Sequence, residues 1–189
     1  ESIRFRKNFL RYDYEVAATA IIDWLEKRKD VNAKKVGIMA SSLGGYYSPR
    51  SASMEKRIKA CVAWGAIWDY HRIWKKRIDA AFKIQLPSPG NHLAWSFNVK
   101  TAEQGLDKLK DFKLDGVVQK MKCPFLIVHG EDDQQIPLSD AKKLYAASGS
   151  KDKTLKIFNG DNGGSQHCHM DYLAPVVPYM ADWISEKLS

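Results

Sequence analysis

The run from Lys35 to Gly45, Lys-Val-Gly-Ile-Met-Ala-Ser-Ser-Leu-Gly-Gly, constrains this chain more than any other stretch. Apolar, β-favouring residues from Val36 to Ala40 lead directly into Ser-Ser-Leu-Gly-Gly, and no proline interrupts the residues that follow before Pro49. This pattern predicts a strand that turns abruptly into a helix, with Ser42 at the apex. A side chain displayed at such a tip needs a sparsely populated backbone conformation. The residues two before and two after it must therefore be small enough for strand and helix to pass closely. Ala40 and Gly44 meet that need. The start of the helix would aim its free N–H groups and positive dipole end at charge developing beside the serine, and the Leu43 N–H is the expected first donor to an oxyanion.

A serine at a turn becomes a nucleophile only with a base and a carboxylate to serve it. A later apolar strand signal, Cys123 to Gly130, runs into Glu131-Asp132-Asp133-Gln134-Gln135-Ile136-Pro137. Asp133, third after the glycine and just before Ile-Pro, is the preferred acid, with Asp132 its nearest rival and Glu131 a weaker one. Farther on, the polar, glycine-rich loop Asn159 to His169 carries two histidines, His167 and His169, either of which fits a general base. Two residues apart in an extended loop, their side chains would point the same way. His167 is preferred, because His169 lies nearer the helix expected from about Asp171 and would be drawn into its entry and packing. A metal site at His167-Cys168-His169 is not expected, since no second Cys/His pair lies nearby.

Read in order, the chain alternates helices and strands, as a doubly wound parallel sheet requires. A helix is predicted over 12–29, with Tyr14, Val16, Ala17, Ile21, Trp24 and Leu25 at helical spacing. The turn at Ser42 leads into a helix over 43–53 and a buried strand over 58–65. A further helix over 139–147, capped by Ser139 or Asp140, precedes a short strand from Thr154 to Phe158. The last helix, over 171–188, directs Leu173, Val176, Val177, Met180, Trp183 and Ile184 at the sheet. Between these halves, residues 68–121 change character. Aromatic residues crowd a segment that also contains Pro87, Pro89 and Gly90, and two helices are predicted, over 70–84 and 102–109. This reads as an inserted helical cap on a core formed by 1–67 and 122–189. Trp68, Tyr70, Trp74 and Trp95 would then wall a substrate pocket, build the cap's own small core, or do both.

The net charge of +8 over 189 residues raises the question of nucleic acid. Basic residues are interleaved with acidic ones, as in Glu26-Lys27-Arg28-Lys29-Asp30, and Lys75-Lys76-Arg77 is the one run of three without acids at its flanks, so a solvated face is the better account and no nucleic-acid partner is expected. No apolar run approaches the ~20 residues that span a bilayer, so no membrane partner is expected either. Three cysteines without metal spacing favour reduced, buried thiols and a cytoplasmic setting. Glu1-Ser2 is not a natural beginning and suggests an internal point of a longer protein.

Taken together, Ala40-Ser41-Ser42-Leu43-Gly44-Gly45, Ala60-Cys61-Val62-Ala63-Trp64-Gly65, Cys123-Pro124 leading to His129-Gly130, Gln166-His167-Cys168 and Ala181-Asp182-Trp183 give the chain a family likeness. It resembles the α/β-hydrolases related to 2,6-dihydropseudooxynicotine hydrolase, a group that includes fungal polyketide-shortening hydrolases and is similar to FrsA-like esterases. The resemblance implies Ser42 as nucleophile, Asp133 as its carboxylate, His167 as base and Leu43 in the oxyanion hole, with no cofactor and no metal. It also implies a small-molecule substrate cleaved at a C–C bond beside a ketone, or at an ester. Members of the group carry an arginine where Ser41 stands, and its role does not transfer. They also have further N-terminal strands, including the loop that donates the second oxyanion N–H. That part is expected to be missing here or to exist as a separate segment, and a homodimer is a further option. The alternative is a non-catalytic binding or regulatory module that kept the fold.

Overall fold

Parallel pairing orders everything in the sheet. The computed structural model describes residues 5–85, 88–161 and 163–189, so Glu1, Pro87 and Asn162 lie outside the described residues. Four strands, β1 (Val36–Ser41), β2 (Ile58–Trp64), β3 (Phe125–Gly130) and β4 (Lys153–Phe158), lie side by side in the order β1-β2-β3-β4. All three pairings are parallel, with Ser41 beside Trp64, Trp64 beside Val128, and Gly130 beside Phe158. The carboxyl ends of the strands therefore share one edge, where open α/β sheets place their ligands. The central strands are buried except for exposed Lys59 and half-buried Trp64, as their continuous apolar runs demand. Edge strand β4 instead alternates Lys153 and Lys156 with apolar residues, a pattern that discourages further pairing.

The chain divides into two units. One, containing the sheet, runs from Asp13 to Trp68 and from Leu114 to the end; the other takes Asp69–Lys113 and the segment up to Tyr12. In the sheet unit, α1 (Glu15–Leu25) is shorter than the predicted helix, and it buries a different stripe. Ala18 and Ile22 are covered, whereas Val16, Ile21 and Trp24 are exposed. Polar bonds decide the orientation: Arg50 donates to both carboxylate oxygens of Glu15 at 2.6 and 2.7 Å, and Thr19 Oγ1 donates to Glu55 at 2.8 Å.

Arg50 belongs to α2 (Gly44–Met54), a helix of small and polar residues that is nonetheless buried along most of its length. Ser48 Oγ bonds the carbonyls of Gly44 and Val62, and Pro49, which has no N–H to offer the Gly45 carbonyl, leaves that oxygen to the Ile67 N–H. Next to β3, α6 (Leu138–Ala147) starts after Pro137 with no side-chain cap. Neither expected cap, Ser139 or Asp140, serves as one; Asp140 is fully buried and accepts the Trp68 N–H at 3.1 Å instead.

The final helix, α7 (Val176–Leu188), begins later than the expected start near Asp171. Val176 and Met180 join Val62, Leu126, Val128 and Phe158 in the core, with Tyr179, Trp183 and Ile184 against its rim. Leu173 and Val177, assigned to the same face from spacing, are exposed, because the helix starts late and Leu173 precedes it.

The other unit contains three helices among its described residues: α3 (Tyr70–Lys83), α4 (Ser88–Phe97) and α5 (Ala102–Leu109). Asp69 caps α3 by accepting the Arg72 N–H, and Thr101 caps α5 by accepting the Gln104 N–H. Helix α4 is absent from the sequence prediction, because Pro89 and Gly90 read as breakers. Pro89 lies in the first turn, where its missing N–H costs no bond. Gly90 lets α4 approach α5, since a Cβ there would stand 3.1 Å from that of Ala102. Trp68 and residues 114–121, assigned to the insertion from sequence, group with the sheet unit, and the segment up to Tyr12, assigned to the core, groups with the helical one.

Candidate active site

Ser42 occupies the left-handed region at φ 57°, between the last residue of β1 and the helical Leu43 that leads into α2. Main-chain bonds hold it there: its N–H donates to Trp64 O at 2.9 Å, and Gly45 N donates to its carbonyl at 2.7 Å. The small neighbours are a steric requirement. A Cβ on Gly44 would lie 2.3 Å from the Ala40 Cβ, and one on Gly45 would lie 2.0 Å from Gly65 O. Leu43 stands at the start of α2, where helix N–H groups have no intrahelical acceptor.

Next to Ser42 comes the histidine loop. His167 Nε2 is 3.0 Å from Ser42 Oγ, and its Nδ1 is 2.8 Å from Asp133 Oδ2. With Nδ1–H donating to the carboxylate, Nε2 is free to accept the serine proton. The Asp133 side chain is fully buried, and its other oxygen accepts the N–H groups of Gln135 and Ile136 at 2.8 and 2.9 Å. Burial works to raise this carboxyl, but the bonds from His167 and the two amides outweigh it and leave its pKa below the ordinary carboxylate value. Burial likewise pulls the His167 imidazole down, while Asp133 and the Cys168 sulfur push it up, to about 9. Asp132 and Glu131 are exposed on the outside of the same turn. The loop and the strand end meet closely: a Cβ on Gly130 would lie 2.2 Å from Ser165 O.

The loop around His167 is not extended. His167–His169 forms a single tight turn with Cys168 at φ 49° and His169 at φ 57°. The two imidazoles consequently go to different places. His169 is fully buried, with Nδ1 accepting the Trp64 indole N–H at 2.7 Å and its ring against the edge of Phe158. Burial lowers its pKa to about 4.

Two further residues shape the site without having been assigned a part in it from the sequence. Asp171, which reads as a helix start, accepts the Ser165 and Gln166 N–H groups at 2.9 and 3.0 Å and so closes the loop on itself. His129 is fully buried; its Nδ1 accepts the Ala66 N–H, and its Nε2–H donates to Ile136 O at 3.0 Å, tying the Asp133 loop to the segment that follows β2. The signal for His129 was a lone polar residue ending an apolar strand.

The four aromatics assigned to substrate contact fall in both units. Trp68 belongs to the sheet unit. Tyr70 and Trp74 are buried within the helical unit, where Tyr70 meets Trp74 and Phe112 edge-on or tilted and Trp74 stacks with His92. Trp95 is partly exposed, with Phe5 at its edge. Among the described residues, no group of three or more His, Cys, Asp or Glu is placed to hold a metal ion, and no helix is long and apolar enough to cross a membrane.

A serine at a strand-to-helix turn, followed along the chain by an aspartate and then by the histidine that bridges the two, invites comparison with known families. The profile of the prolyl oligopeptidase family matches residues 17–188. The chain belongs to that family. Its fold is accordingly an α/β-hydrolase fold, of which this chain forms the C-terminal type of portion. Among curated proteins it is 28% identical over 179 residues to 2,6-dihydropseudooxynicotine hydrolase of Paenarthrobacter nicotinovorans, covering 93% of this chain and 44% of the relative. It is also 28% identical over 220 residues to 20-hydroxy-prefusarin hydrolase of Gibberella moniliformis, covering 99% of this chain and 52% of the relative. The crystal structure of the 2,6-dihydroxy-pseudo-oxynicotine hydrolase superposes with a TM-score of 0.80 at 26% identity, over 97% of this chain and 49% of that one. An acetyl xylan esterase from Thermoanaerobacterium, at TM-score 0.64 and 19% identity over 93% of this chain and 52% of that one, shares the fold. The chain spans about half the length of the curated relatives it matches.

Proposed function

We propose that this chain carries the catalytic triad of a serine hydrolase acting on a carbonyl compound, with Ser42 as nucleophile, His167 as general base and Asp133 as the carboxylate that orients it. The observation carrying this reading is the unbroken chain from Asp133 Oδ2 through His167 to Ser42 Oγ, with both links within hydrogen-bond reach, at 2.8 and 3.0 Å. Membership in a hydrolase family supports it.

In the proposed reaction, Ser42 Oγ attacks the carbonyl carbon while its proton passes to His167 Nε2. The new C–O bond places negative charge on the carbonyl oxygen, at the start of α2, where the Leu43 N–H donates to it. Collapse of this intermediate breaks the bond to the leaving group, which takes the proton from His167. Water, deprotonated by the same nitrogen, then attacks the acyl-serine and releases the acid. Asp133 keeps Nδ1 protonated and stabilises the imidazolium between these steps. No step calls for a metal or an organic cofactor.

For the substrate we propose a small molecule cleaved at an ester or at a C–C bond next to a ketone, the latter supported by the likeness to 2,6-dihydropseudooxynicotine hydrolase. A carbon leaving group departs as a carbanion, so such a substrate needs a ketone or an electron-poor ring to accept that charge.

Labelling with a fluorophosphonate probe tests the reading, because only an activated serine reacts. Ser42→Ala should abolish labelling and lower turnover by ~10³-fold or more while the protein still folds. An unlabelled wild-type chain would favour a non-catalytic module, and turnover surviving in Ser42→Ala would end the nucleophile assignment.

A further inference from the structure

The indole of Trp64 and the second histidine of the loop stand outside the reaction just described, yet they touch both of its moving parts. Trp64 is the last residue of β2. Its carbonyl accepts the N–H of Ser42 at 2.9 Å and lies 3.8 Å from Cys168 Sγ, while its indole N–H donates to His169 Nδ1 at 2.7 Å. One residue thus grips the nucleophile by its backbone and the turn bearing the base by its side chain.

That turn needs a grip. Cys168 and His169 are both left-handed non-glycine residues, at φ 49° and 57°, a conformation that is disfavoured for residues with a Cβ and persists only when the surroundings impose it. Inside, the His169 ring is closed in by the edge of Phe158, with ring centroids 5.1 Å apart, and by Gly164, where a Cβ would come within 3.3 Å of that of His169. The bond also selects a tautomer. Nδ1 must be bare to accept the indole proton, so the neutral ring carries its hydrogen on Nε2, an atom without a hydrogen-bond partner among the described residues. His167 is separated from this anchor by Cys168 alone, so a shift of His169 moves His167 against Asp133 and Ser42.

We propose that Trp64 and His169 are a positioning pair for the general base: the indole-to-imidazole bond holds the left-handed turn in the one place from which His167 reaches Asp133 and Ser42 together. This deepens the triad reading and rests on it. Loss of the bond loosens the link between His167 Nδ1 and Asp133, and with it the imidazole's preference for the charged form. Asp133 and the Cys168 sulfur face His167 directly, and His129 Nε2 lies 3.8 Å from Asp133 on the far side. A contribution to packing alone would not move this preference.

Three variants test the proposal. Trp64→Phe keeps an aromatic ring and removes the N–H, His169→Asn keeps an acceptor close to the Nδ1 position, and His169→Leu removes it. The titration of His167 is followed by imidazole NMR, together with the pH dependence of fluorophosphonate labelling and kcat and KM on p-nitrophenyl acetate. Trp64→Phe and His169→Leu should shift the His167 midpoint towards that of an ordinary histidine and lower kcat on the order of tenfold with KM little changed. His169→Asn should keep the wild-type midpoint. A folded Trp64→Phe protein with a wild-type midpoint and kcat overturns the proposal. Should Trp64→Phe fail to fold, the two His169 variants decide, and equal midpoints for Asn and Leu overturn it. Labelling that survives in Ser42→Ala removes the triad itself. Its loss there, beside wild-type behaviour in Trp64→Phe, removes only the pair.

Discussion

The serine turn and the histidine turn store the same kind of backbone strain and hold it by different means. Ser42 and the pair Cys168–His169 are all left-handed non-glycine residues. At Ser42, regular structure lies on both sides, β1 before and α2 after, and main-chain bonds to Trp64 and Gly45 fix the apex. The histidine turn lies between β4 and α7 with irregular chain on either side. Side chains hold it: Asp171 closes the loop, Trp64 anchors His169, and Asp133 takes His167. Ser42 is thus positioned by elements that form from local preference, whereas His167 is positioned by partners far away in sequence. Changes near the first should cost folding stability, and changes near the second should cost activity first.

The largest expected effect lies at the acid. Asp133→Asn should lower kcat by ~10³ to 10⁴-fold, since the amide no longer favours the Nδ1–H tautomer, while exposed Asp132→Asn should stay within a few-fold. A greater loss at Asp132 would reverse the assignment. Two glycine substitutions then set the turns directly against each other. Gly45→Ala drives a Cβ to 2.0 Å from Gly65 O, between backbones that cannot yield, and should lower Tm by the equivalent of about 1–3 kcal/mol or more. Gly130→Ala meets Ser165 O at 2.2 Å, on the side-chain-held loop, and should reduce kcat by ~10²-fold with a smaller fall in Tm. Thermal melts and kinetics on both proteins check this. Equal falls in Tm, with equal activity per folded molecule, would erase the distinction.

Smaller effects follow at the edge of the loop. Asp171→Ala leaves two N–H groups to water and should cost about tenfold in kcat with little change in Tm. Unaltered kinetics would show that the loop closes without it. For pH, the sign follows from the base being active only when neutral. With His167 raised to about 9, kcat/KM should climb with pH through a midpoint above the ordinary histidine value of ~6.5. A midpoint at or below that value would contradict the tight Asp133 bond.

Stability carries the opposite signature at His169, whose pKa of about 4 lies below that of an unfolded histidine, ~6.5. Between those values the unfolded chain binds a proton that the native chain refuses, so His169 contributes stability above ~6.5 that is lost as pH falls through 4. The fall in Tm over that interval should be shallower in His169→Asn than in wild type. An identical slope would mean that another group governs it.

What the sequence determined by itself was whatever depends on neighbours along the chain. Apolar runs of strand length flanked by turn residues gave four strands in the right places, and helical spacing located most of the helices. The small residues around Ser42 announced a close strand-to-helix passage, because that steric condition spans only five positions. Asp133 and His167 stood out as candidates by their places after a strand. Only the tertiary structure decided the rest. Which stripe of α1 is buried depends on an ion pair between Glu15 and Arg50, 35 residues apart. Helix α4 was hidden because Pro89 breaks a helix interior but not a first turn. Asp140 looks like a helix cap in sequence, yet it bonds the Trp68 N–H that folding brings to it from 72 residues away. The choice between His167 and His169 turned on left-handed backbone at Cys168, which sends one imidazole towards Ser42 and buries the other beneath Trp64. No local pattern encodes that reversal, because its cost is met by bonds to residues more than 100 positions away.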